Sequence, residues 1–193
     1  GVDRVLAMDL HSAQIQGYFD IPCDHIYGSP VLIDYLETLN LEEIVVVSPD
    51  VGGVARARAF AKLMNDAPLA IIDKRRSAHN IAESLTVIGE VKGKTAILID
   101  DMIDTGGTIC SGANLLKKEG ANRIFACASH AVFSPPSYER LSTKNLFEQV
   151  IVTNSIPVIH KDNFPQLKVL SVANMLGEAI WRIHEESSVS SMF

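Results

Sequence analysis

Three acids and two glycines stand close together in the stretch 95–109. The apolar run 96–99 is typical of a strand buried on both faces of a parallel sheet, and Asp100 and Asp101 are expected where that strand reaches solvent. The glycines that follow allow positive φ and close backbone approach, so N–H groups at a helix N-terminus can bind a phosphate. Carboxylates beside such a loop would repel a phosphate, whereas they could hydrogen-bond the hydroxyls of a sugar. The predicted sugar-phosphate site comprises Asp100, Asp101, Asp104, Thr105, Gly106, Gly107 and Thr108.

A second glycine turn has the same layout. It follows the predicted strand 43–47, reads Ser48-Pro49-Asp50-Val51-Gly52-Gly53, and precedes the helical pattern 55–65. Asp50 taken alone fits an Asx turn or a helix cap as well as it fits a ligand site. Because the loop repeats the order strand, acid, glycines and helix, it is a candidate for a second phosphate-binding loop.

Polar clusters follow two further predicted strands. Asp9 and His11 come after the strand 5–8, and Lys74-Arg75-Arg76 comes after the strand 69–72. Ligands of open α/β sheets bind at the carboxyl ends of strands, so one crevice would unite all four clusters. Taken singly, His11 is more often a structural histidine and the basic run more often a solvated turn. Together the clusters favour phosphoryl transfer, in which the protein positions substrates and neutralises charge.

Composition narrows the class of protein. The chain has 193 residues, is 47% hydrophobic and carries a net charge of -6, which argues against non-specific nucleic-acid binding. Its cysteines, Cys23, Cys110 and Cys127, lack C-x-x-C spacing, so neither a disulfide framework nor a zinc site is expected, and a reducing compartment fits. No apolar run approaches the ~20 residues of a membrane helix.

Strand-like and helix-like segments alternate along the chain, which predicts an α/β fold with a mainly parallel sheet flanked by helices. Residues 9–30 are expected to form a loop or linker, and residues 73–80 an exposed, mobile segment. Trp181 is expected on the apolar side of the final helix. The predicted strands are 5–8, 43–47, 69–72, 85–91, 96–99, 123–128, 149–153 and 167–170, and the clearest predicted helices are 30–39, 55–65 and 172–184.

The motifs together resemble a known family. Six stretches carry the likeness: Asp-Leu-His at 9–11, the stretch 14–22, the loop 48–53, the basic run 73–76, the anchor 100–108 and the terminal 187–193. Together they are similar to ribose-phosphate diphosphokinases, also called phosphoribosyl pyrophosphate synthetases. The likeness covers essentially the whole chain and is greatest to class I enzymes of plants and cyanobacteria. The anchor loop also occurs in type I phosphoribosyltransferases, whereas Asp-Leu-His and the basic run select the synthetase.

The resemblance implies a type I phosphoribosyltransferase-like fold and a diphosphoryl transfer. The β,γ-diphosphoryl group of ATP would pass to the 1-hydroxyl of ribose 5-phosphate, giving phosphoribosyl pyrophosphate and AMP, with Mg²⁺ as cofactor. Asp100 and Asp101 would bind the ribose hydroxyls and the loop 104–108 the 5-phosphate. Lys74 and Arg76 would be the catalytic cations. By the same resemblance, the pyrophosphate loop would be Asp50, Val51, Gly52 and Gly53, and the metal positions would be His11 and Asp50, with Asp9, Asp20 and Asp24 as weaker candidates.

The resemblance also sets expectations for domains and partners. Residues 1–30 would be the tail of a further N-terminal domain and a linker, and residues 31–193 a C-terminal phosphoribosyltransferase-like domain. The chain alone would then bind ribose 5-phosphate but turn over poorly. A homo-oligomer is expected, hexameric in the family, in the cytoplasm or a plastid, with neither nucleic acid nor membrane as a partner.

Two alternatives remain open. One is a phosphoribosyltransferase that consumes phosphoribosyl pyrophosphate, for which the anchor loop would serve equally well. The other is a non-catalytic regulatory relative that binds ligands or partner subunits without turnover.

Overall fold

The fold is built on a seven-stranded sheet. The computed structural model describes residues 1–75, 84–159 and 164–193. The strands of the large sheet lie in the order β5-β4-β3-β6-β7-β8-β9, and every neighbouring pair is parallel except β4 with β5. The mainly parallel α/β prediction is therefore confirmed. The strands are β1 (Val5–Met8), β2 (Cys23–Ile26), β3 (Ile44–Ser48), β4 (Leu69–Arg75), β5 (Ser84–Ile88), β6 (Thr95–Ile103), β7 (Arg123–Ala131), β8 (Gln149–Thr153) and β9 (Leu167–Leu170).

Helices cover both faces of this sheet. Alternate side chains of the strands enter two apolar layers: Val46 and Ile97 face one, while Val47 and Leu98 face the other. The first layer is closed by α1 and α2, and the second by α3 and α4. The helices are α1 (Ser29–Thr38), α2 (Val54–Leu63), α3 (Gly107–Lys118), α4 (Ser137–Leu141) and α5 (Ala173–His184).

The connections reverse direction between β3 and β6. The crossover through α2 leads from β3 to β4 on one side, and the crossover through α3 leads from β6 to β7 on the other. The two helices lie on opposite faces, as right-handed crossovers running in opposite directions require. The strand ends of β3 and β6 therefore flank a topological switch point, where doubly wound sheets bind their ligands.

The predicted loop 9–30 contains regular structure. A 3-10 turn spans Ala13–Tyr18, and β2 pairs in parallel with β1 to form a separate two-stranded sheet. This small sheet packs on α5 through Ile26 and Ala179. The sequence missed β2 because Cys-Asp-His-Ile carries no strong alternation of apolar and polar residues.

Three further expectations need correction. β6 continues to Ile103, so Asp101 lies inside the strand and is only 1% exposed instead of reaching solvent. β4 continues to Arg75 because its last residues pair with β5, so residues 73–75 of the expected loop form a strand, and residues 76–80 lie outside the described part of the chain. Trp181 is 56% exposed and does not lie on the apolar side of α5.

The structure also describes the cysteines and the length of the helices. The three cysteines are free thiols. Among the residues described, no helix combines the length and the apolar character needed to cross a membrane.

Candidate functional site

The predicted phosphate loop lies between β6 and α3. Gly106 precedes the first residue of α3 with a φ of +74°, a conformation that side chains disfavour. A Cβ on Gly106 would also lie 3.3 Å from Leu141 Cγ. Thr105 and Thr108 are exposed, and the first-turn amides of α3 have no intrahelical acceptor. The loop therefore has the form of an anion-binding helix N-terminus.

The second predicted loop lies between β3 and α2. Asp50 Oδ1 accepts a hydrogen bond from Gly53 N–H at 2.8 Å, and Ser48 Oγ donates one to the Asp50 carbonyl at 2.7 Å. A Cβ on Gly53 would lie 3.0 Å from Ser48 Oγ, so a side chain there would press on the serine that hydrogen-bonds the Asp50 carbonyl. Because β3 and β6 are adjacent, this loop and the phosphate loop flank the same switch point.

Four charged or titratable side chains meet at the end of β6. Arg56 Nη1 lies 3.2 Å from Asp100 Oδ1 and 3.0 Å from Asp101 Oδ1. The other oxygen of Asp101, Oδ2, lies 2.8 Å from His11 Nδ1. The carboxylate accepts, so Nδ1–H donates, and the imidazole, 72% exposed, presents Nε2 outward. A carboxylate that holds a histidine in this way is the usual support of a metal-binding imidazole.

The two acids of this cluster have opposite pKa shifts. Burial, together with the neighbouring Asp101, raises the pKa of Asp100 to about 7. Burial also acts to raise the pKa of Asp101, but hydrogen bonds from Asp100 and His11 and the charge of Arg56 outweigh it, so the pKa of Asp101 is lowered. The pair therefore shares one proton near neutral pH, as expected for two close carboxylates.

Two arginines of this site are absent from the residues that the sequence predicted. Arg56 contacts both acids, and Arg140, from α4, donates from Nη1 to the Thr105 carbonyl at 3.1 Å. Arg56 carried one usable signal. It lies in the first turn of α2, where the helix dipole disfavours a cation, so a nearby acid was to be expected. Arg140 carried no comparable signal, because α4 is distant in sequence from the loop.

The weaker metal candidates lie in different surroundings. Asp9 is 8% exposed, and its Oδ2 accepts hydrogen bonds from Gly28 N–H and Ser129 Oγ. Asp24 forms a bidentate ion pair with Arg4. Asp20 is exposed. The carboxylate of Asp9 thus joins the end of β1 to β7, which places His11 two residues later beside Asp101.

The predicted catalytic cations are described only in part. Lys74 is exposed near the end of β4, where it pairs with Leu85 of β5. Arg76 lies outside the described residues. Within the described ranges, no group of three or more His, Cys, Asp or Glu side chains is arranged to hold a metal ion.

Known proteins resemble this chain over its whole length. Residues 72–193, more than half of the chain, match the family model of the phosphoribosyl synthetase-associated domain. A ribose-phosphate pyrophosphokinase of Prochlorococcus marinus subsp. pastoris is 94% identical over the whole chain, which covers 58% of that protein. Ribose-phosphate pyrophosphokinase 1 of Spinacia oleracea is 65% identical, and again the whole chain covers 58% of that protein.

A solved structure shows the same fold. The crystal structure of phosphoribosylpyrophosphate synthetase from Mycobacterium smegmatis matches with a TM-score of 0.88 and 43% identity, covering 97% of this chain and 60% of that one. The chain thus spans somewhat more than half the length of the relatives it matches. The resemblance inferred from the motifs is confirmed, and the chain belongs to the phosphoribosyl synthetase family.

Proposed function

We propose that this chain provides the ribose 5-phosphate site and part of the transfer site of a ribose-phosphate diphosphokinase. The reaction moves the β,γ-diphosphoryl group of ATP to the 1-hydroxyl of ribose 5-phosphate and yields phosphoribosyl pyrophosphate and AMP. The observation that carries the proposal is the meeting of two glycine loops, after β3 and β6, with an acidic pair between them. The names of the close relatives support it.

The acceptor is held by the end of β6 and the start of α3. The loop of Asp104, Thr105, Gly106, Gly107 and Thr108 binds the 5-phosphate through backbone N–H groups, hydroxyls and the positive end of the α3 dipole. Asp100 and Asp101 accept hydrogen bonds from the ribose hydroxyls. Binding both ends of the sugar holds the 1-hydroxyl in place, which is the main contribution of a protein to phosphoryl transfer.

The diphosphoryl group lies over the second loop. Asp50, Val51, Gly52 and Gly53 form the pyrophosphate loop. Mg²⁺ commonly takes one or two protein carboxylates and completes its shell with water and substrate phosphates, so an exposed Asp50 fits it without a larger cluster. His11 and Asp50 would hold the ion, which neutralises phosphate charge when bound. Lys74 and Arg76 supply further positive charge to the transferring group.

The domain and assembly predictions belong to this proposal. Residues 1–30 include β1 and β2, which form their own sheet and pack on α5 in an apolar cluster separate from those of the large sheet. This supports a division near residue 30, with α5 contacting the first part. We extend the proposal to a cytoplasmic homo-oligomer, in keeping with the bacterial relatives.

Two measurements test the proposed function. Calorimetric titration of the chain with ribose 5-phosphate is expected to show binding, because the acceptor residues are all present. The chain is also incubated with ATP, ribose 5-phosphate and Mg²⁺ while AMP and phosphoribosyl pyrophosphate are measured, with the complete Prochlorococcus relative as positive control. AMP formation in that control must depend on ribose 5-phosphate. Absence of ribose 5-phosphate binding to the chain would contradict the proposal.

A further inference from the structure

Arg56 joins the two halves of the proposed site. It lies in the first turn of α2, the helix that begins directly after the pyrophosphate loop, yet its side chain reaches the acids at the end of β6. A single atom, Nη1, lies 3.2 Å from Asp100 Oδ1 and 3.0 Å from Asp101 Oδ1. One cation therefore contacts both carboxylates that the sugar site requires.

The position of Arg56 is unfavourable without these acids. A cation in the first turn of a helix opposes the helix dipole, and the side chain is only 30% exposed. Two adjacent carboxylates repel each other when both are ionised. The positive charge of Arg56 reduces the repulsion between the two acids. The acids in turn compensate the unfavourable position of Arg56 in the helix dipole. Its neighbour Arg58, two residues along the same helix, is exposed.

Asp101 is held from two sides. Its Oδ1 faces Arg56, and its Oδ2 faces His11 Nδ1 at 2.8 Å. The contact of Oδ1 is ionic without hydrogen-bond alignment, so this buried oxygen has no hydrogen-bond partner among the described residues. Removing Arg56 would leave Asp101 Oδ1 buried without a neighbouring cation, and the side chain of Asp101 would have to move.

We propose that Arg56 is a positioning residue that holds Asp100 and Asp101 in the arrangement that binds the ribose hydroxyls. The inference rests on the proposed function, since it assigns those hydroxyls to the acidic pair. Arg56 acts through the acids, with which it forms its ion pairs. Its loss should therefore weaken recognition of the sugar and leave recognition of the phosphate unchanged.

Titration calorimetry with two ligands separates these effects. Ribose 5-phosphate reports on sugar and phosphate together, and inorganic phosphate reports on phosphate recognition without the sugar. Arg56→Met is expected to weaken ribose 5-phosphate binding about tenfold, the usual cost of losing a charged partner, without changing phosphate binding. Arg56→Lys keeps the charge and should recover most of the affinity. Arg58→Met on the same helix is the matched control and should bind both ligands as the unaltered chain does.

Each other outcome overturns the inference. Unchanged or tighter ribose 5-phosphate binding by Arg56→Met would mean that Arg56 does not support the sugar site. An equal loss for both ligands, or no recovery with Arg56→Lys, would indicate a general structural role. If circular dichroism shows Arg56→Met unfolded, Arg56→Gln takes its place in the same comparison. Failure of the unaltered chain to bind ribose 5-phosphate would overturn the proposed function, and the inference with it.

Discussion

At the scale of single residues, the site combines charges that a stable surface would keep apart. Asp100 and Asp101 are adjacent, and both depend on Arg56. His11 completes the cluster from a distant part of the chain. Such an arrangement costs stability in the absence of ligand, and this cost is common where side chains are arranged for binding.

Asp100→Asn is expected to stabilise the chain at pH 8. Because the pKa of Asp100 is raised to about 7, the folded chain binds more protons than the unfolded chain between pH 4 and 7, and stability falls as pH rises through that window. The amide removes this loss, so the melting temperature should rise by about 2 to 4 °C at pH 8 and remain unchanged near pH 4. Asp34→Asn, on the exposed face of α1, controls for the loss of one charge. An equal effect at both pH values would contradict the assignment.

Lys74→Ala tests the role of the exposed end of β4. A preorganised donor directed at charge that develops in the transition state is worth about 10²- to 10³-fold in kcat. In an active form of the enzyme, Lys74→Ala should therefore lower kcat by about that factor and change the KM for ATP much less. Steady-state kinetics with varied ATP measures both, with exposed Lys62→Ala as control. A raised KM with unchanged kcat would mean that Lys74 only binds ground-state ATP.

At the scale of elements, close packing sets where α3 and its loop lie. Gly112 faces the sheet, and a Cβ there would lie 2.7 Å from Ile72 Cδ1 and 3.6 Å from Leu98 Cδ2. Since Gly106 caps the N-terminus of the same helix, the depth of α3 against the sheet also sets the position of the phosphate loop. Glycine at position 112 thus allows close contact with the sheet without displacing Ile72, although it weakens the helix.

Gly112→Ala should reveal this contact through coupling with Ile72→Val. In the unaltered chain, the clash with Ile72 Cδ1 opposes the gain in helix propensity of about 1 kcal/mol, so little or no stabilisation is expected. Ile72→Val removes that methyl group, and Gly112→Ala should then stabilise by about 1 kcal/mol. Urea unfolding of the four proteins measures the double-mutant cycle. Simple additivity would show that the methyl group does not limit the approach of α3.

At the scale of the molecule, the core is divided. Two large clusters cover the faces of the seven-stranded sheet, and a third, small cluster joins β1 and β2 to α5. The small sheet is tied to β7 by Asp9 with Ser129 and by His130, whose Nε2 lies 3.0 Å from the Met8 carbonyl. A small apolar cluster and a few polar connections predict a part that opens before the rest.

Native-state hydrogen exchange tests this division. The amides of β1 and β2 should exchange at a lower opening free energy than those of β6 and β7, which are buried between two layers of helices. Amide exchange followed by NMR or mass spectrometry supplies the comparison. Equal protection of both groups would show that the small sheet is part of the same cooperative unit.

Much of the site could be predicted from local sequence. Buried apolar strands followed by acids and glycines specify the loops after β3 and β6, since φ, capping and burial are settled within a few residues. For the same reason, the order of most strands and helices and the resemblance to the family could be read from short stretches of sequence. The misjudged ends of β4 and β6 are also local in origin, because charged residues in a strand suggest solvent until their partners are known.

Only the tertiary structure decided which distant groups meet. His11 and Asp101 are separated by 90 residues, and Arg56 and Asp100 by 44, so no pattern in either segment indicates the pair. β2 exists because β1 pairs with it, and Trp181 is exposed because β1 and β2 cover another side of α5. The sequence by itself determined the chemistry available at each strand end. The fold determined that Arg56 and His11 share Asp101, because the order of strands brings those ends together.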